Sequence, residues 1–110
     1  MSKPVMGAGN VEIELAGEQL TLKPTLHACQ SISRQSGGIV GAIQALGRLD
    51  FDALVNVIAL GIGRKNKDIE EAVFSTGMDV LNPLAIEFVT NISTGGRKQE
   101  GGGEGNSDPQ

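Results

Sequence analysis

Two runs of strict apolar–polar alternation sit side by side near the N-terminus, and no third run follows. Val11, Ile13 and Leu15 alternate with Glu12 and Glu14; after Ala16-Gly17-Glu18 the alternation resumes with Leu20 and Leu22. A period of two marks a strand with one packed face and one wet face. The spacing predicts a hairpin of strands 11–15 and 19–23, joined by a three-residue connection in which Gly17 supplies a positive φ. Pro24-Thr25 ends the second strand. A lone two-stranded hairpin is marginal in water. Its apolar face, Val11, Ile13, Leu15, Leu20 and Leu22, must therefore lean on whatever the rest of the chain builds. Both hairpin edges are left open, and an open edge invites another strand.

The remainder has helical period. Thr25 is placed to cap a helix over 26–36 in which Leu26, Cys29 and Ile32 share a face and Gly37-Gly38 turns the chain. A second helix covers 39–48, with Ile39, Ile43 and Leu46 in line and Val40 and Leu49 beside them. Asp50 caps a third, 51–64, where Phe51, Leu54, Val55, Ile58 and Ile62 form a continuous stripe. Val57 and Leu60 fall off that stripe. A helix this apolar is central, or offers a second face to a partner. Asp68 starts a fourth helix, 68–77, with Glu70 and Glu71 suited to the positive pole of its first turn and Ile69, Ala72 and Val73 inward. Asn82-Pro83 reads as the cap and first residue of a fifth, 83–93, with Leu84, Ala85, Phe88, Val89 and Ile92 as its apolar face.

The fold class this predicts is α+β: an N-terminal two-stranded hairpin followed by about five helices in one small domain over 11–94. Residues 1–10 read as a loose leader. Residues 95–110 hold six Gly and no apolar side chain, too little to offset the entropy of ordering, and read as a disordered tail. With no Trp, no Tyr and three Phe, the core is expected to be aliphatic.

Charge and cysteine usage narrow the function classes. The chain carries 13 acidic against 9 basic residues, a net charge of −4, and lacks the basic face and stacking aromatics of a nucleic-acid binder. Cys29 is the single cysteine, so no internal disulfide forms, which fits a reducing cytosol. The longest charge-free run, 35–47, is far shorter than the ~20 residues of a membrane span, and residues 1–10 contain no apolar signal core. A cytoplasmic setting is expected, with no membrane and no nucleic-acid partner.

No catalytic constellation emerges. His27 is the single histidine and reads as an ordinary helix residue; Cys29, two positions on, points to another side of the helix, and a closed zinc site wants four ligands. Cys29 reads as a small core residue. The run Gly61-Ile-Gly-Arg-Lys-Asn66 lacks the third glycine and the strand–helix setting of a dinucleotide fingerprint. Its glycines loosen a helix end, and Arg64, Lys65 and Lys67 complement that end's negative pole. Glu12 with Glu14, and Glu70 with Glu71, read as solvated faces. Gly37 and Gly41 form a G-x-x-x-G, but not within an apolar 20-mer. No cofactor or metal is expected.

The ordered stretch does resemble a family. "VEIELAGEQLTLKPTLHACQSISRQSGG", an apolar helix, "FDALVNVIALGIGR", "DIEEAVFSTGM" and "LNPLAIEFVTNISTGG" follow one another as in the tail assembly chaperones of gene-transfer agents and long-tailed phages, some labelled tail tube proteins. The likeness covers about residues 11–96 and rests on the order and spacing of the opening hairpin, the Leu-Lys-Pro-Thr step, the Gly-Gly closure and the Val-x-Val-Ile-Ala-Leu-Gly-Ile helix. The resemblance implies a non-enzymatic protein that binds the tape-measure protein, a long helical polypeptide, and presents it to tail tube subunits. An apolar groove formed by Val57, Leu60 and Ile86 is the expected partner contact, since helix-in-groove binding covers an apolar helix face. The alternative is a structural tube or joining subunit retained in the particle, against which two strands count, because tube subunits are built around a substantial sheet. The open hairpin edges leave self-association available.

Overall fold

The computed structural model describes residues 9–35 and 37–95. It contains an antiparallel hairpin of β1 (Val11–Leu15) and β2 (Glu18–Leu22), then α1 (Leu26–Ser33), α2 (Gly38–Gly47), α3 (Phe51–Ile62), α4 (Asn66–Thr76) and α5 (Met78–Ser93). The α+β order expected from the sequence is the observed one. The expected leader and tail fall outside the described residues, apart from Gly9, Asn10 and Gly95. Gly9 is buried, and its carbonyl accepts a 2.9 Å hydrogen bond from the Asn91 side-chain amide, so the chain just before β1 is fastened to α5.

The hairpin connection is one residue shorter than the spacing suggested. Ala16 and Gly17 both have positive φ, 50° and 89°, as a type I′ two-residue turn requires, and this turn matches the strands' own twist. Glu18 therefore belongs to β2, and the register pairs Val11 with Leu22, Ile13 with Leu20 and Leu15 with Glu18. Val11, Ile13, Leu15 and Leu22 are buried and Leu20 partly so. The turn is tied down by the Ala16 N–H, which donates to Thr76 Oγ1 at the end of α4 (2.9 Å).

What the hairpin leans on is chiefly α3, which packs against β2 and against all four other helices, while β1 lies on α4 and α5. Leu54, Val55, Val57, Ile58, Ala59 and Gly61 of α3 are all buried. The helix apolar all round is the central one. Phe88 of α5 is the largest fully buried side chain, so the core is aliphatic around one aromatic ring.

Local signals set the helix starts where they are strong. Thr25 Oγ1 accepts from the Ala28 N–H, and Asp50 Oδ1 from the Ala53 N–H, both at 3.1 Å; each satisfies a donor that the helix start leaves free. In α1 the buried face is Ala28 and Ile32, with Cys29 half-buried and Leu26 exposed, so Leu26 is not a core residue. The fourth helix begins at Asn66, two residues before Asp68.

α5 departs most from expectation. It starts at Met78, directly after Gly77 turns the chain with φ 109°, and runs through Pro83 without a break. The carbonyl that a proline at 83 leaves unbonded within the helix belongs to Asp79, which is exposed to solvent. Asn82 is therefore not a cap: it is buried, and its Nδ2 donates to the Leu46 carbonyl at 2.8 Å, joining α5 to the end of α2.

Arg64, just beyond α3, forms a two-pronged contact with the Glu18 carboxylate, at 2.9 and 3.3 Å. Both side chains are about half exposed, so this pair fixes geometry more than it stabilises. The hydrogen bond from Arg64, reinforced by its charge, holds the Glu18 carboxyl below its ordinary value of 4.5. Because folding lowers this pKa, its contribution is present above the ordinary carboxylate range and is lost as pH falls through the folded value. Glu18→Gln is expected to lower stability slightly at neutral pH. In urea titrations across the acid range, the difference from wild type closes as the wild-type carboxyl protonates.

Candidate partner-docking surface

Of the expected groove residues, Val57 does not reach the surface. It is only 1% exposed, because α3 packs against β2 and all four other helices, while Leu60 and Ile86 are half-buried, packed against the core. Val57 does no more than help line a recess of about 280 Å³ beside α2. The correction has a simple cause: a position off a helix's apolar stripe is free for a partner only if the fold leaves that side uncovered, and here β2 and four helices surround α3.

The apolar surface that is exposed lies elsewhere, and its most pronounced member is Phe74, 75% exposed on α4. α4 turns Ile69 and Val73 into the core. Lys67, Glu70, Glu71 and Phe74, at spacings of three and four residues, then share the outward stripe. The half-buried Phe51, from the start of α3, completes a shallow recess of about 390 Å³ with these four residues. Two aromatic rings are thus framed by two carboxylates and one ammonium. The stripe was readable in the sequence as an aromatic out of phase with Ile69, Ala72 and Val73 on an otherwise charged face.

Such a surface recognises through burial and charge. Covering Phe74 contributes about 2 kcal/mol by apolar area alone. Glu70 and Glu71 favour a partner with basic groups beside its apolar residues, and an Arg or Lys laid on the Phe74 ring gains further from its quadrupole. A partner helix with an apolar stripe and basic flanks meets these requirements.

His27 and Cys29 stay apart from this surface, on α1. Among the described residues no group of three or more His, Cys, Asp or Glu side chains is placed to hold a metal ion, and no helix is long and apolar enough to cross a membrane. Comparison of the chain with protein-family models, with curated proteins and with solved structures finds no match.

Proposed function

We propose that this protein is a non-enzymatic tail assembly chaperone of a long-tailed phage or gene-transfer agent. It acts in the cytoplasm of the cell that builds the particle, holding the tape-measure protein and presenting it to tail tube subunits. The order and spacing of the motifs over residues 11–96 support this reading. So does a fold with only two strands among the described residues, which is a poor starting point for a tube subunit. The observation that carries the binding role is the exposed Phe74 framed by Glu70, Glu71 and Lys67 over Phe51.

The docking role is tested by Phe74→Ser. Phe74 is mostly in water in the free protein, so the variant is expected to keep the wild-type melting temperature within a degree or two, as surface substitutions away from packed features do. In co-expression with the tape-measure protein of its own gene cluster, capture is expected to fall about tenfold or more, the effect of losing an aromatic anchor. Undiminished capture by a folded variant would remove Phe74 from the interface.

A further inference from the structure

The outer edge of β2 is a second unfilled position, of different chemistry. With a two-residue turn, Leu15 and Glu18 form the closing hydrogen-bonded pair, and alternation makes Ile13–Leu20 and Val11–Leu22 the next. Gln19 and Thr21 therefore turn their backbone N–H and C=O groups away from β1, and among the described residues no backbone group pairs with them. Lys23, the next outward position, is already used: its N–H donates to the Gly61 carbonyl at 3.0 Å. α3 thus closes the edge at Lys23 and leaves two residues of it open.

A recess of about 300 Å³ runs beside those two residues, lined by Gln19, Leu20, Thr21, Lys23, Gly61 and Ile62. Leu20 and Ile62 are half-buried against the core and give the recess an apolar inner wall. On the outer face, Thr21 Oγ1 donates to both carboxylate oxygens of Glu12, at 3.1 Å each. This hydrogen bond leans the Glu12 carboxylate over β2, toward the open edge. Glu14 stands on the same face, opposite Gln19.

We infer that this edge takes an extended segment of a partner protein as a third, antiparallel strand. The segment places basic residues opposite Thr21 and Gln19, where they meet Glu12 and Glu14, and an apolar residue between them against Leu20 and Ile62. Main-chain hydrogen bonds supply affinity in such additions, and alternate side chains supply specificity. A second copy of this chain fits the charge pattern less well: antiparallel β2 self-pairing sets neutral Gln19 against Thr21, leaving Glu12 without a cation. The β1 edge excludes self-pairing more strongly, since it would set Glu12 against Glu14.

The inference does not depend on the partner at Phe74, and its test leaves the protein unchanged. The full chain, labelled with ¹⁵N, is titrated with the peptide acetyl-Val-Lys-Val-Lys-Val-amide and with two N-methylated forms. In the predicted register the lysine amides bond to Thr21 and Gln19, while the amide of the central valine points away. Methylating both lysine amides is expected to weaken binding about tenfold or more, whereas methylating the central valine amide leaves it within about twofold. Amide shifts are expected at Gln19 and Thr21, and the glutamate analogue acetyl-Val-Glu-Val-Glu-Val-amide is expected not to bind. Equal losses from the two methylated forms, or shifts that bypass Gln19 and Thr21, overturn the proposal. Concentration-dependent dimerisation that perturbs the same two residues assigns the edge to a second copy and overturns it as well.

Discussion

Phe88→Ala is expected to lower the unfolding free energy by about 3–5 kcal/mol, enough to unfold a large share of a domain this size at 37 °C if its stability is near the low end of the usual 5–15 kcal/mol. Phe88 is fully buried and is the one aromatic side chain among the buried residues. Truncation removes the transfer free energy of the ring and leaves a cavity among residues that other contacts hold in place. A loss of unfolding free energy below about 1 kcal/mol in denaturant titration, at unchanged slope, would mean that the site collapses on the vacancy or that α5 packs differently.

Gly61 sets the second large effect, by the opposite mechanism. A Cβ at this position would come within 2.6 Å of Leu22 Cδ2 and within 3.1 Å of both Leu22 Cβ and Phe88 Cζ. Leu22 is itself fully buried, and in a close-packed interior it yields only by pressing on its own neighbours. Overpacking of this kind costs about 1–3 kcal/mol, offset for alanine by the roughly 1 kcal/mol it gains over glycine as a helix former. Gly61→Val loses much of that offset and enlarges the clash, so a loss near 3 kcal/mol is expected. The same residue carries the carbonyl that receives the Lys23 N–H, so displacement of α3 also loosens the end of β2. A double-mutant cycle separates the causes: Phe88→Leu removes part of the clash, and the Gly61→Ala cost is expected to shrink in that background. Strict additivity would show that Phe88 does not press on Gly61.

These two residues also show where the sequence was readable and where it was not. Alternation over residues 11–22 gave the hairpin and its packed face, because period two is a local property of a half-buried strand. Thr25 and Asp50 announced two helix starts, because a cap is a contact within three residues. Gly61 looked like a helix loosener, since its reason to be glycine is a strand some forty residues earlier in the chain and a ring on α5. Asn82-Pro83 carried a helix-start signal, but Gly77 had already turned the chain, and the Asn82 amide is directed at the Leu46 carbonyl of another helix rather than at its own helix start. Val57 looked available because periodicity reports one apolar face and is silent about how many neighbours enclose a helix. Phe74 was the converse: an aromatic out of phase with the apolar positions of its helix, on a charged stripe, is the local sign of an exposed ring.

Two surfaces thus emerge from one small acidic domain. The Phe74 recess on α4 suits an amphipathic helix, and the β2 edge suits an extended strand. Both would favour basic partners, and a chain that used the two as proposed would hold segments in two conformations.

A tail assembly chaperone, as proposed for this protein, assists assembly without becoming part of the product. The most direct measurement is quantitative mass spectrometry of particles purified from cells that express the whole gene cluster, alongside affinity capture from the same cells before lysis is complete. The tape-measure protein is expected to be captured with this chain, and the chain to be absent from finished particles. Its presence in particles in fixed ratio to the tube subunit would contradict the chaperone reading and make it a structural component of the tail.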